Sequence, residues 1–211
     1  MKRGRFITLE GIEGVGKSSN LAFLHDTLKQ RGVDVWVTRE PGGTDLGEEI
    51  RALLLGHRHD GMAHDTELLL MFAARAEHLG REIRPRLASG QWVLCDRFTD
   101  ATYAYQGGGR GIPGKRIAVL EEWVQGSLRP DMTILLDAPL DVAFGRVSQR
   151  GAAQDRFEKE KEDFFTKVRQ CYLGRAAREP SRIRVVDAAR SLSEVQSDLT
   201  RLMAGLVDEV R

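Results

Sequence analysis

From residue 11 to residue 18 the chain reads Gly11-Ile12-Glu13-Gly14-Val15-Gly16-Lys17-Ser18, a G-x-x-x-x-G-K-S spacing that directly follows the apolar-rich run Phe6-Ile7-Thr8-Leu9. A strand that hands the chain to a glycine-rich turn, and then to a helix starting at about Lys17, is the setting in which this spacing cradles phosphate. The glycines let backbone N–H groups converge on phosphate oxygens without Cβ clashes. The positive end of the following helix adds to the attraction for anions. Lys17 can then reach the β- and γ-phosphates, and the Ser18 hydroxyl can ligate Mg²⁺. A magnesium-bound nucleoside triphosphate is the expected ligand; the acceptor is left open.

Four further constellations bear on the reaction. Asp96-Arg97 closes the run Gln91-Trp92-Val93-Leu94-Cys95. A strand-end carboxylate beside the phosphates can hold Mg²⁺ directly or through water, and an adjacent guanidinium can clamp a phosphate bidentately. A helix-capping Asp followed by a surface Arg is the plainer alternative. Arg39-Glu40-Pro41-Gly42-Gly43-Thr44 follows another apolar run, with Arg39 positioned for a second anion and Thr44 expected to cap a helix running through Leu55. Phe72 and Arg75 stand three apart in a helical pattern, a spacing that lets an aromatic face and a fork of donors share one pocket, although a core role for Phe72 fits the pattern better. Finally, Arg146, Arg150 and Arg156 flank the polar stretch Gln149–Lys161. Such a charge run reads either as a solvated face or as a lid that swings one arginine onto a transferring phosphoryl group. Because Ile12, Glu13 and Val15 add no cation to Lys17, an extra positive charge would have to come from that lid.

The elements that must position these residues are legible as alternation. Val33–Thr38, Gln91–Cys95, Met132–Asp137 and Ile183–Asp187 join Phe6–Leu9 as short apolar strands, and helical repeats such as Leu21, Leu24, Leu28 lie between them. This predicts an α/β fold with a mainly parallel sheet covered on both faces, whose ligands sit beyond the carboxyl ends of the strands. Gly107–Pro113 reads as a flexible loop. A length of 211 residues fits a single domain spanning 1–211, with residues of about 149–161 as a short mobile lid. The net charge of +1 argues against a broad nucleic-acid footprint. Cys95 and Cys171 are far apart and lack metal-ligand spacing, no apolar run is long enough to span a bilayer, and no signal-peptide core is evident. A cytoplasmic protein acting on neither nucleic acid nor membrane is the expectation.

Taken in order, Phe6-Ile-Thr-Leu-Glu-Gly with the glycine loop, Arg39-Glu-Pro-Gly-Gly-Thr44, Phe72-Ala-Ala-Arg75-Ala-Glu-His78, Asp96-Arg-Phe98, Ala104-Tyr-Gln-Gly-Gly-Gly109 and Asp155-Arg-Phe-Glu158 resemble bacterial thymidylate kinases along nearly the whole chain. The resemblance implies a P-loop nucleoside monophosphate kinase fold with a five-stranded parallel sheet, a homodimer, and transfer of the ATP γ-phosphoryl group to dTMP. It assigns Lys17, Ser18 and the loop through Ser19 to ATP and Mg²⁺, with Asp96 supporting the metal and Glu13 near the acceptor. Arg39 and Arg97 would bind the dTMP phosphate. Phe72 would stack on thymine, Arg75 would bond its carbonyl oxygen, and Thr102, Tyr105 and Gln106 would line the pocket. Arg146 would pack on adenine near Asp187–Arg190, and Arg150 or Arg156 would serve the transition state. Phe98 stands where many relatives carry Tyr or His, Thr102 where Ser or Asn is usual, and Ser19 where Thr is common. A kinase of the same fold with another acceptor, or a nucleotide-operated switch, are the competing readings; no Asn-Lys-x-Asp stretch supports a guanine switch.

Overall fold

A computed structural model describes residues 3–56, 61–148, 157 and 160–208. The chain runs β1 (Phe6–Glu10), α1 (Lys17–Gln30), β2 (Val35–Arg39), α2 (Asp45–Leu55), α3 (His64–His78), α4 (Arg84–Ala88), β3 (Trp92–Asp96), α5 (Thr99–Thr102), α6 (Gly114–Gln125), β4 (Met132–Asp137), α7 (Leu140–Ser148), α8 (Glu162–Arg178), β5 (Ile183–Asp187) and α9 (Leu192–Asp208). All strand pairs are parallel, in the order β2-β3-β1-β4-β5. β1 is buried along its whole length, as a central strand covered on both faces must be. The register sets Leu9 and Arg39 beside Asp96, and Asp137 beside Asp187, so the chemically active strand ends share one rim. This is the expected α/β sheet.

Local signals account for the element borders nearest that rim. α1 starts immediately after Gly16, which takes a left-handed φ of 88° that a side chain would resist. α2 starts at Thr44 as expected, its hydroxyl accepting the Gly47 N–H at 3.0 Å. The core beneath the phosphate loop includes Ile12 and Val15, so two of the loop's variable side chains serve packing.

One expectation is overturned. Gly107–Gly109 are not a flexible loop but the end of a wide, π-type helical segment, Tyr103–Gly109, packed against α8. A Cβ on Gly108 would lie 2.8 Å from the Cys171 Cβ and 2.9 Å from the Lys167 carbonyl oxygen, and one on Gly109 would lie 2.3 Å from the Phe164 ring. These glycines let two helices approach closely. Gly108→Ala is therefore expected to destabilise the protein by about 1–3 kcal/mol through overpacking. In a flexible loop the same change would be neutral or stabilising. Thermal or denaturant unfolding of the variant distinguishes the two.

Candidate active site

Lys17 opens α1 and bends back over the glycine loop, its Nζ donating to the carbonyl oxygens of Gly11 (3.1 Å) and Ile12 (2.8 Å). Burial, and then the nearby Arg97 charge, lower its pKa to about 8, while Asp96, Glu13 and Glu10 pull the other way. Ser18 and Ser19 are exposed on the first helical turn. Asp96 keeps one buried carboxylate oxygen, Oδ1, without a hydrogen-bond partner among the described residues. An unpaired anionic oxygen at a strand end suits a hard cation or its water shell.

Arg97 is the described non-glycine residue with positive φ, at 67°. That conformation costs about 1–2 kcal/mol, so something must hold it. Its own N–H donates to the Leu9 carbonyl at 3.0 Å, and the next N–H, of Phe98, donates to Glu10 Oε1 at 2.7 Å. The turn directs the guanidinium onto the phosphate loop, where Nη2 donates to Glu13 Oε1 (2.7 Å) and to the Tyr105 hydroxyl (2.9 Å). Nη1 meets the Tyr172 hydroxyl at 3.3 Å, and that hydroxyl donates to Glu10 Oε2 at 2.8 Å. Glu10 is fully buried; burial and then Asp100's charge push its pKa up to about 8 against the opposing effects of Arg97, Tyr172 and the Phe98 N–H.

Next to this cluster lies a half-open cleft lined by charged, polar and apolar side chains. Glu13, Arg97 and Tyr105 line it on the side of the phosphate loop, and Arg75, Thr102 and Gln106 line it elsewhere. Arg75 is almost fully buried, donating from Nε to Glu40 (2.7 Å) and from Nη2 to Thr102 (3.0 Å), while its buried Nη1 has no partner among the described residues. Gln106 is held by Glu67 at 2.8 Å. A second cavity lies on the other side of the glycine loop, lined by Gly14, Gly16, Ser19, Arg146 and Arg190. Arg146 is fixed there by a 2.7 Å bond from Nη1 to the Ala188 carbonyl oxygen.

Two expected residues do not reach the cleft. Phe72 packs with Leu68, Ile112 and Ile117 in the core, and its ring lies under the Arg75 guanidinium at 4.8 Å. The wall position belongs to Met71, one full turn before Arg75. Arg39 does not line the cleft; its side chain is half exposed and paired with Glu48 on α2 at 2.8 Å. The cation that sequence reading missed is Arg51, which lines the cleft from α2 and donates to the Pro41 carbonyl at 2.8 Å. Its spacing from Leu54 and Leu55 on an amphipathic helix was the available signal. Phe98 lines the cleft with its ring and packs edge-on against Phe6 at 4.9 Å. Arg150 and Arg156 lie outside the described residues, as does most of the expected lid; of that stretch Phe157 is buried against Tyr105 and Glu160 pairs with Arg110 at 2.5 Å.

A family model described as thymidylate kinase matches residues 9–199. The chain belongs to the thymidylate kinase family. It is 57% identical over 208 residues to the thymidylate kinase of Pseudomonas putida (strain GB-1), covering 99% of both chains. It is 58% identical to that of Alcanivorax borkumensis over 200 residues, which is 95% of this chain and 96% of the relative. Among solved structures, thymidylate kinase from Ehrlichia chaffeensis superposes with a TM-score of 0.77 at 31% identity, covering 96% of this chain and 99% of that one. The parallel sheet with its covering helices is thus the fold of this kinase family.

The lowered pKa of Lys17 has a measurable consequence. Phosphate binding favours the charged ammonium, so near pH 8 ATP binding should take up to about half a proton from solution. Calorimetry in buffers of different ionisation heat reads this directly. Lys17→Arg, which stays protonated, should remove the uptake. Wild-type binding without proton uptake at that pH would show that the free lysine is already fully charged.

Proposed function

We propose that this chain transfers the γ-phosphoryl group of ATP to dTMP, with the dTMP phosphate at Arg97 and its base at Arg75. The observation that carries the reading is the shared cleft. A strand-end arginine touching the phosphate loop and a buried arginine with one open donor line the same space. An acceptor with an anionic end and a carbonyl-bearing end fits that order. Its phosphate would lie beside Glu13, next to the γ-phosphate held by the glycine loop.

The steps follow from the contacts. An incoming phosphate competes with Glu13 for the Arg97 guanidinium, whose fixed fork suits two phosphate oxygens. Arg51 supplies the second cation on that side, the part first expected of Arg39. Thymine would lie against Met71 rather than Phe72, with Arg75 Nη1 donating to a ring carbonyl oxygen, and Thr102, Tyr105 and Gln106 closing the pocket. Lys17 would leave the loop carbonyls for the β- and γ-phosphates of ATP, and the adenine side would rest near Arg146. Ser18 and Asp96 would hold Mg²⁺, which when bound screens charge between the phosphates. Arg150 or Arg156 would neutralise the transferring group, since Ile12 and Val15 are buried and Glu13 is anionic. Little covalent work falls to the protein; alignment and charge neutralisation carry the reaction.

We also propose that residues 1–211 act as one kinase domain in the cytoplasm and as a homodimer. No helix among the described residues is long and apolar enough to cross a membrane. Leu69 on α3 (56% exposed) and Trp123 on α6 (82% exposed) project from two helices that pack together, an apolar surface suited to a second copy.

Three measurements test this. ADP formation across dTMP, dUMP, dCMP, AMP and thymidine should be fastest with dTMP and negligible with thymidine, which offers Arg97 no phosphate; equal, negligible turnover on all of them would sink the kinase reading. Arg97→Ala should lower kcat/KM for dTMP by about 2–4 kcal/mol, roughly 30- to 1000-fold. An unchanged value would make Arg97 a structural residue. Leu69→Glu combined with Trp123→Glu should convert a dimer to a monomer by light scattering, whereas a wild-type monomer at micromolar concentration would refute the assembly.

A further inference from the structure

Arg75 and His78 stand three apart on α3 and so share a face. Both meet the segment that leaves β2. Glu40 accepts from Arg75 Nε through Oε2 at 2.7 Å and from His78 Nδ1 through Oε1 at 3.1 Å. The far ring nitrogen of His78, Nε2, meets the Thr38 hydroxyl at 2.8 Å. The side chains of Arg75, His78 and Glu40 are 2%, 0% and 4% exposed, so no solvent competes for these bonds. The backbone closes over them as well: a Cβ on Gly43, whose φ is 81°, would stand 2.4 Å from His78 Nε2 and 2.6 Å from Thr38 Oγ1.

The consequence falls on Arg75. Its guanidinium lies between the Phe72 and Phe98 rings at 4.8 and 5.0 Å, with Nε committed to Glu40 and Nη2 to Thr102. Among the described residues Nη1 is left as a buried donor without a partner. A fixed, desolvated donor accepts a carbonyl oxygen and penalises an amino group placed at the same spot, because the mismatch leaves buried polar groups unpaired. The fork can turn only if Glu40 turns, and Glu40 is held on its other oxygen by His78.

We propose that His78, which does not touch the cleft, is a positioning residue for nucleobase recognition. Through Glu40 it fixes Arg75 Nη1 in the orientation that accepts a keto pyrimidine and refuses an amino pyrimidine. The proposal rests on the reading of Arg75 as the base-contacting residue.

A pair of near-isosteres separates positioning from packing. In His78→Asn the amide nitrogen falls about where Nδ1 was and can still bond Glu40. In His78→Gln it falls about where Nε2 was and reaches only Thr38. His78→Gln should raise the KM for dTMP about tenfold, the equivalent of one hydrogen bond, with little change in kcat. It should also cut the dTMP over dCMP ratio of kcat/KM by about the same factor, and His78→Asn should recover most of both losses. Equal values for the two variants, or a lowered Tm with KM and the ratio unmoved, would make His78 a packing residue and overturn the proposal. Arg75→Lys is the control on the underlying reading. If it leaves KM and the ratio unchanged, Arg75 does not read the base; if it moves them while His78→Gln does not, only the positioning role fails. Should His78→Gln not fold, Thr38→Val releases the same ring from its far side. It should then shift KM and the ratio in the same direction by a smaller factor, and no shift would refute the proposal.

Discussion

Most of this site depends on one ion pair, between Arg97 at the end of β3 and Glu13 in the glycine loop, at 2.7 Å. It joins the end of β3 to the glycine loop, the two places proposed above to hold the acceptor and donor phosphates. The pair is only 15–18% exposed, so removing either partner would strand a poorly hydrated charge. It also spends the Arg97 backbone strain usefully: the left-handed turn at that residue turns the guanidinium toward the loop, and the Leu9 carbonyl and Glu10 carboxyl on β1 hold the turn. Adjacent parallel strands in fixed register are what bring those holding groups within reach.

The same arrangement recurs around the cleft. Arg75 is matched by Glu40, and Arg110 by Glu67 and Glu160, each pair linking segments far apart in sequence. Matched charge keeps a cation-rich pocket compact before its anionic ligands arrive, when unpaired arginines would repel one another. The pairs differ in what they leave open. Glu40, fixed by His78, leaves Arg75 one donor in a set direction. Glu13 sits at the loop where a phosphate can replace it. The difference lies in the surroundings: Glu40 is buried with a histidine on its second oxygen, whereas Glu13 is partly exposed and shares the Tyr105 hydroxyl with Arg97 at the edge of the cleft.

How much of this was legible in the sequence depends on the kind of signal. The glycine loop, the strand-end Asp96-Arg97 and the Thr44 cap were readable because backbone geometry demands those residue types at those spacings. The pattern favours a core role for Phe72, where the structure has it; the resemblance alone sets it against the base, and only packing shows that Met71 lines the cleft. For Arg39, strand alternation says only that it lies on the face opposite Thr38 and Glu40; its pairing with Glu48 on α2 is tertiary information. Gly107–Gly109 misled for a different reason, since composition cannot tell a glycine kept for freedom from one kept for contact. The Glu40–His78–Thr38 chain had no sequence signal at all, because its members meet only when α3 packs beside β2.

Burial explains one more feature that the pairs alone do not. Lys17 is pulled down to about 8 and Glu10 is pushed up to about 8, each moved toward its neutral form by desolvation. The free site therefore carries less charge than its formula suggests, even though Lys17 and Glu10 interact favourably when both are ionised. An arriving triphosphate changes that balance on one side only. In the proposed reaction it would complete the protonation of Lys17, already mostly charged near neutral pH, whereas Glu10 lies behind Arg97 and Tyr172 and keeps its role of holding the Arg97 turn. Bonds to the Phe98 N–H and the Tyr172 hydroxyl remain available to a carboxylic acid as well as to a carboxylate, since one oxygen can still accept while the other exchanges donor for acceptor with the phenol. The support behind Arg97 thus tolerates either protonation state, while the lysine in front responds to ligand. Arg97 is thus a fixed cation at any physiological pH, as the part proposed for it toward an acceptor phosphate requires, while Lys17 titrates.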